Sequence, residues 1–173
     1  VNNGTDPTDP VSRPDIALWA KTYGGASYDR AYSVSHTSDG GYVMAGMTAS
    51  FSDASGDVMV VKYDADGTVV WQNNYGGANN DSADYIEQTA DGGYIVGASA
   101  SSVGAWIFKL NADGSMVWQK GYSDGLAGTV HETSDGGYIA AGQTSSFGAG
   151  DSDAWVLKLD ANGNTGAGFA GTW

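Results

Sequence analysis

Carboxylates crowd one short stretch of the chain, at Asp81, Asp84 and Glu87, and Asp29 stands where Asp81 does in an earlier copy of the same pattern. Two such groups facing each other across a channel suit glycoside hydrolysis, one as acid and the other as base or nucleophile. The same residues also cap turns and coat solvated strand faces, which is their commoner use. "DADG" at 64, "NADG" at 111 and "DANG" at 160 begin like calcium-binding EF-hand loops, but the twelfth position from Asp64 is Tyr75, so no terminal Glu completes the loop. They are expected to be hairpin turns. Two acidic loops, "SFSDASGD" at 50–57 and "SFGAGDSD" at 146–153, are candidate calcium sites, and no other cofactor is indicated. His36 and His131 occupy non-equivalent positions and are expected on strand faces. Neither G-x-S-x-G nor a Ser, His and Asp set appears, and cysteine is absent, so no nucleophile and no thiolate metal site is assigned.

Repetition is what would position these residues. "DGGYVMAG" at 39–46, "DGGYIVGA" at 91–98 and "DGGYIAAG" at 135–142 are nearly the same eight letters. Each follows a tryptophan segment ("LWAKTYGG" at 18, "VWQNNYGG" at 70, "VWQKGYSDG" at 117) and precedes a third block ("DVMVVKYDADG" at 57, "GAWIFKLNADG" at 104, "DAWVLKLDANG" at 153). Apolar and polar residues alternate at period two, so each unit reads as four short strands; in the first these are 19–23, 31–37, 41–48 and 58–63. The glycines, 27 in 173 residues, fall where hairpin turns need positive φ. No segment carries a helical period.

Four antiparallel strands per unit is the size of a β-propeller blade, so the chain is expected to be all-β, with three blades at 18–69, 70–116 and 117–165. Residues 1–17 read as a Pro/Asp/Thr linker, and 166–173 as a tail or the start of a further blade. Trp19, Trp71 and Trp118 are expected between neighbouring blades, and Lys62, Lys109 and Lys158 on outer edges, where charge discourages sheet-to-sheet pairing.

The turn-plus-tryptophan segment "DADGTVVWQNNYGG" resembles the docking motif of the quinoprotein-like propellers. Whole copies, W-x-K-x-Y-G-G, then T-x-D-G-G-Y, then D-x-W-x-x-K-L-D-x-x-G, resemble repeats of secreted and cell-surface propellers of bacteria and archaea, over residues 18–163. Copy two departs from them with Gly104 for Asp and a shorter loop. The resemblance implies a fold and an extracellular or cell-surface setting, not an activity. Sialidases need an arginine triad, whereas this chain has only Arg13 and Arg30. Quinone-dependent dehydrogenases need basic residues around an acidic cofactor, which are lacking here.

A formal charge of −13 repels phosphate backbones and anionic lipid surfaces, and no apolar run reaches membrane-spanning length, so nucleic acid and membrane insertion are not expected. Closed propellers usually have four to eight blades. Three blades imply a ring completed by a homodimer of three plus three, or by blades outside this chain.

Two turns are nearly constant among the copies and two loops vary. Strand alternation puts both variable loops on one face, where Tyr28, Asp29, Phe51, Asn79, Asn80, Asp81 and Phe147 are the expected ligand-binding residues. The expected function is a non-catalytic binding module for a glycan or a protein. The alternative is part of a larger propeller enzyme, a glycoside hydrolase or quinone-dependent type, with its catalytic residues elsewhere.

Overall fold

A computed structural model describes residues 18–52, 56–122, 125–145 and 151–166. The expected linker, Phe147 and most of the tail lie outside the described residues. Among the described residues all regular structure is β: β1 (Asp29–His36), β2 (Tyr42–Thr48), β3 (Asp57–Tyr63), β4 (Val69–Tyr75), β5 (Asp81–Gln88), β6 (Tyr94–Ala100), β7 (Gly104–Leu110), β8 (Met116–Tyr122), β9 (Leu126–Glu132), β10 (Tyr138–Thr144) and β11 (Asp153–Leu159). They form antiparallel meanders in the orders β1-β2-β3-β4, β5-β6-β7-β8 and β9-β10-β11. These are blade-like sheets of a propeller-like repeat fold.

The DGG turns show why their letters recur. Asp39 Oδ1 accepts hydrogen bonds from Thr37 Oγ1 at 2.5 Å, Gly41 N–H at 3.0 Å and Lys62 Nζ at 3.1 Å. Gly40 has φ +82°, and a Cβ on Gly41 would lie 2.2 Å from the Tyr63 carbonyl oxygen, so the pair needs one glycine for conformation and the next for space. Thr89, Asp91 and Lys109 repeat the arrangement, as do Thr133, Asp135 and Lys158.

The sheets pack face to face. Val43, Ala45, Val58 and Val60 of the first meet Ile86, Tyr94, Val96 and Phe108 of the second in one core cluster. Ile95 and Ile107 of the second meet Val130, Tyr138, Leu157 and Leu159 of the third in another. Tryptophan indoles seal these junctions. Trp71 Nε1 donates to the Ala112 carbonyl and Trp118 Nε1 to the Ala161 carbonyl, each in the hairpin turn of the next sheet. Tyr75 and Tyr122 hydroxyls donate to the Gly114 and Gly163 carbonyls of the same turns.

Three expectations change. The tryptophan segment is the fourth strand of its sheet, not the first strand of the next, so the boundaries drawn at 69/70 and 116/117 fall within the β3–β4 and β7–β8 hairpins. The sequence repeat fixes a period but not its phase. Residues 19–23 form no strand, since no neighbour among the described residues supplies a ladder for them. Two of the three lysines sit on inner third strands, not outer edges: Lys62 and Lys109 are each only 4% exposed and reach back to the Asp of their own DGG turn at 2.9 and 3.0 Å, whereas Lys158 lies on β11, the edge strand of the third sheet among the described residues.

Gly40 and Gly114 separate backbone strain from packing. Both have φ +82°, but a Cβ on Gly40 meets nothing within 4 Å, whereas on Gly114 it lies 2.4 Å from Asn73 Nδ2 and 3.0 Å from Trp71 Cζ3. Chemical denaturation is expected to show a loss of about 1 kcal/mol for Gly40→Ala and about 3 kcal/mol for Gly114→Ala.

Candidate functional site

Antiparallel pairing sorts the connections between two ends of the sheets. The DGG turns and the β3–β4 and β7–β8 turns share one end; the segments 24–28, 49–52, 76–80 and 101–103 share the other, because Asp29 pairs with Thr48 and Asp81 with Ala100 there. The variable loops therefore lie together.

Within this end, Asp29 is a loop lock. Its carboxylate accepts from Thr48 Oγ1 at 2.5 Å, Ser50 Oγ at 2.6 Å and Gly25 N–H at 2.9 Å. Hydrogen bonds from Ser50 and Thr48 pull its pKa down to about 2. Asp81 caps the next loop through Gly77 N–H at 3.1 Å, and its buried Oδ1 has no hydrogen-bond partner. Burial raises the Asp81 pKa. Asn80 Oδ1 accepts from Gly56 N–H at 2.8 Å, tying two loops together. Tyr28 is 56% exposed, while Phe51 packs its ring 5.8 Å from that of Tyr23.

A groove of about 580 Å³ opens between β4 and β8, and its lining includes Asn74, Tyr75, Asn79, Asp81, Trp106, Gln119 and Lys120. Asn79 and Asp81 of the expected residues meet there, whereas Asn80 lines a smaller cleft of about 250 Å³ that also reaches Asp81. Neither cleft includes Tyr28, Asp29 or Phe51. Trp106 and Gln119, joined by an Nε1 to Oε1 hydrogen bond of 3.1 Å, lie within regular strands and were not expected at the site. Their strand alternation carried no mark that one face would remain open at its edge.

A second polar cluster joins the first strands of the second and third sheets. His131 Nδ1 lies 2.8 Å from Glu87 Oε2, and the Tyr85 hydroxyl lies 3.1 Å from both. Glu87 Oε1 accepts from Glu132 N–H at 2.9 Å. Burial, with the Glu87 charge beside it, pushes the Tyr85 pKa up to about 12. His131 and Glu87 are thus connectors between sheets rather than isolated strand-face groups. Asp84 instead accepts from Ser99 Oγ at 3.2 Å. Among the described residues, no three His, Asp or Glu side chains gather to hold a metal ion. The candidate calcium loops lie partly outside them.

No protein-family model and no curated protein matches this chain.

The turn carboxylates predict an acid-sensitive fold. Asp91 titrates at about 2: burial opposes the drop, and bonds from Thr89, Gly93 and Lys109 outweigh it. Asp39 and Asp135 are held lower, chiefly by Thr37 and Thr133 and then by their lysines. A folded pKa below the ordinary 3.8 means the stabilisation is complete above that value and is lost as pH falls through the folded one. Asp81 and Asp84, raised by burial, act in the opposite sense. Melting temperature is expected to fall between about pH 4 and pH 2, less steeply in Asp91→Asn.

Proposed function

We propose that this chain is a non-catalytic β-propeller module of an exported protein and that it binds a neutral glycan at its variable-loop end. The groove between β4 and β8 carries the reading. Asn74, Asn79 and Gln119 offer amide donors and acceptors, Lys120 adds a donor, and Tyr75 and Trp106 offer ring surface. Hydroxyl-rich ligands suit that mixture, since each amide serves a hydroxyl in both senses and the rings cover apolar sugar faces. The formal charge of −13 disfavours acidic ligands. The propeller type is the tryptophan-docking, quinoprotein-like one, supported by indole bonds to the next sheet's turn. Acidic composition and the Thr/Pro/Asp-rich start support an extracellular or cell-surface setting.

An array of neutral oligosaccharides tests this. Saturable binding is expected, weakened about fivefold in Asn79→Ala and in Lys120→Ala, with an unchanged melting temperature. Binding of a protein partner without any sugar would change the ligand class. Turnover of an arrayed sugar would instead favour an enzyme completed by blades outside this chain.

A further inference from the structure

The three sheets are chemically equivalent but not equally covered. On the face that looks back along the chain, Ile86 of the second sheet is 1% exposed and Val130 of the third 0%, whereas Val34, the same position in the first, is 68% exposed. On the opposite face, Val43 and Val60 of the first sheet and Ile95 and Ile107 of the second are all 0% exposed, while the third sheet's Ile139 and Val156 are 37% and 59% exposed. Apolar residues have been kept where, among the described residues, nothing covers them. The bare front of the first sheet lines a groove of about 600 Å³ bounded by Trp19, Val34, Tyr42 and Met44.

Among the described residues a strand is also missing at one end, and a strand-like segment is spare at the other. Among the described residues the third sheet stops at β11, without the fourth strand that β4 and β8 give the other two. Residues 18–23 have the sequence of that strand, and Trp19 is already docked as such. Its Nε1 donates to the Ala65 carbonyl at 3.3 Å, as Trp71 does to Ala112 and Trp118 to Ala161, and its ring lies over Gly67 of that turn. Trp71 and Trp118 each belong to the sheet that precedes the turn they seal, so Trp19 stands as the outer strand of a sheet preceding the first. The chain's own return after β11 begins with a Leu159 to Thr165 bridge, but by sequence Ala167 stands where Trp71 and Trp118 do.

We propose that a second copy of this chain supplies both missing parts. The third sheet's bare face packs on the partner's first sheet, and β11 pairs antiparallel with residues 18–23 of that partner. Done twice about a twofold axis, this closes the ring, covers both bare sheet faces and gives every sheet four strands. One chain provides both halves of the join, because its three-stranded sheet and its sheetless strand are equal and opposite deficits. The register follows from Val60 opposite Asn73 and Ile107 opposite Lys120, which places Val156 opposite Lys21 of the partner.

Light scattering of the full chain is expected to give twice 17.7 kDa. Val34→Asp and Val156→Asp, both at exposed positions of the single chain, are expected to halve that mass while the β signal in circular dichroism persists. The chain has no cysteine, so a Lys21→Cys/Val156→Cys double variant reports the register directly: oxidation is expected to yield a covalent dimer on a non-reducing gel. A monomer or a larger polymer for the unaltered chain overturns the proposal. So does a cross-link within one chain, or the absence of any cross-link. Loss of the dimer on deleting residues 167–173 would assign the fourth strand to the chain's own tail and overturn the exchange.

Discussion

The contact on which the rest depends is an indole lying on a glycine turn. Trp71 and Trp118 reach from their own sheet to the next, and Trp19 from the segment before the first; each places its ring over the glycine of that sheet's hairpin and donates Nε1 to a carbonyl of that turn. One side chain thereby excludes water from the seam, satisfies a turn carbonyl and sets the spacing of two sheets. Each component requires the others. The glycine supplies positive φ and leaves room for the ring, and the ring buries large apolar area while its one polar atom keeps a partner.

The DGG turn does the corresponding work within a sheet. Its aspartate collects the threonine hydroxyl, a turn N–H and the lysine ammonium, so a cation can lie nearly buried beneath the hairpin with its charge matched at the surface. The aspartate of each pair remains mostly solvated, which limits the ion pair's Coulomb contribution. What the lysine chiefly gains is satisfaction of its ammonium by Asp39 and the Tyr63 carbonyl. With both ends of each hairpin fixed, the loops at the other end are free to vary without loosening the sheets. Asp29 and Asp81 stiffen two of them through side-chain and backbone bonds, and the groove borders on the one that Asp81 holds.

The sequence by itself determined the all-β class, the threefold repeat, the location of turns and the grouping of variable loops at one end. These follow from local rules: alternation at period two, glycine where φ must be positive, and strand direction reversing at every hairpin. Tertiary structure alone decided the phase. Whether "VVWQNNY" opens one sheet or closes another depends on which ladder it joins, and a periodic sequence fits both descriptions equally well. It also decided the environment of the lysines, since charge at a fixed point of a strand reads as edge protection until the turn aspartate beneath it is seen. Trp106, Gln119 and the His131–Glu87–Tyr85 cluster escaped the sequence for the same reason. Each unites residues from separate strands or sheets, and proximity of that kind is created by packing rather than by spacing along the chain.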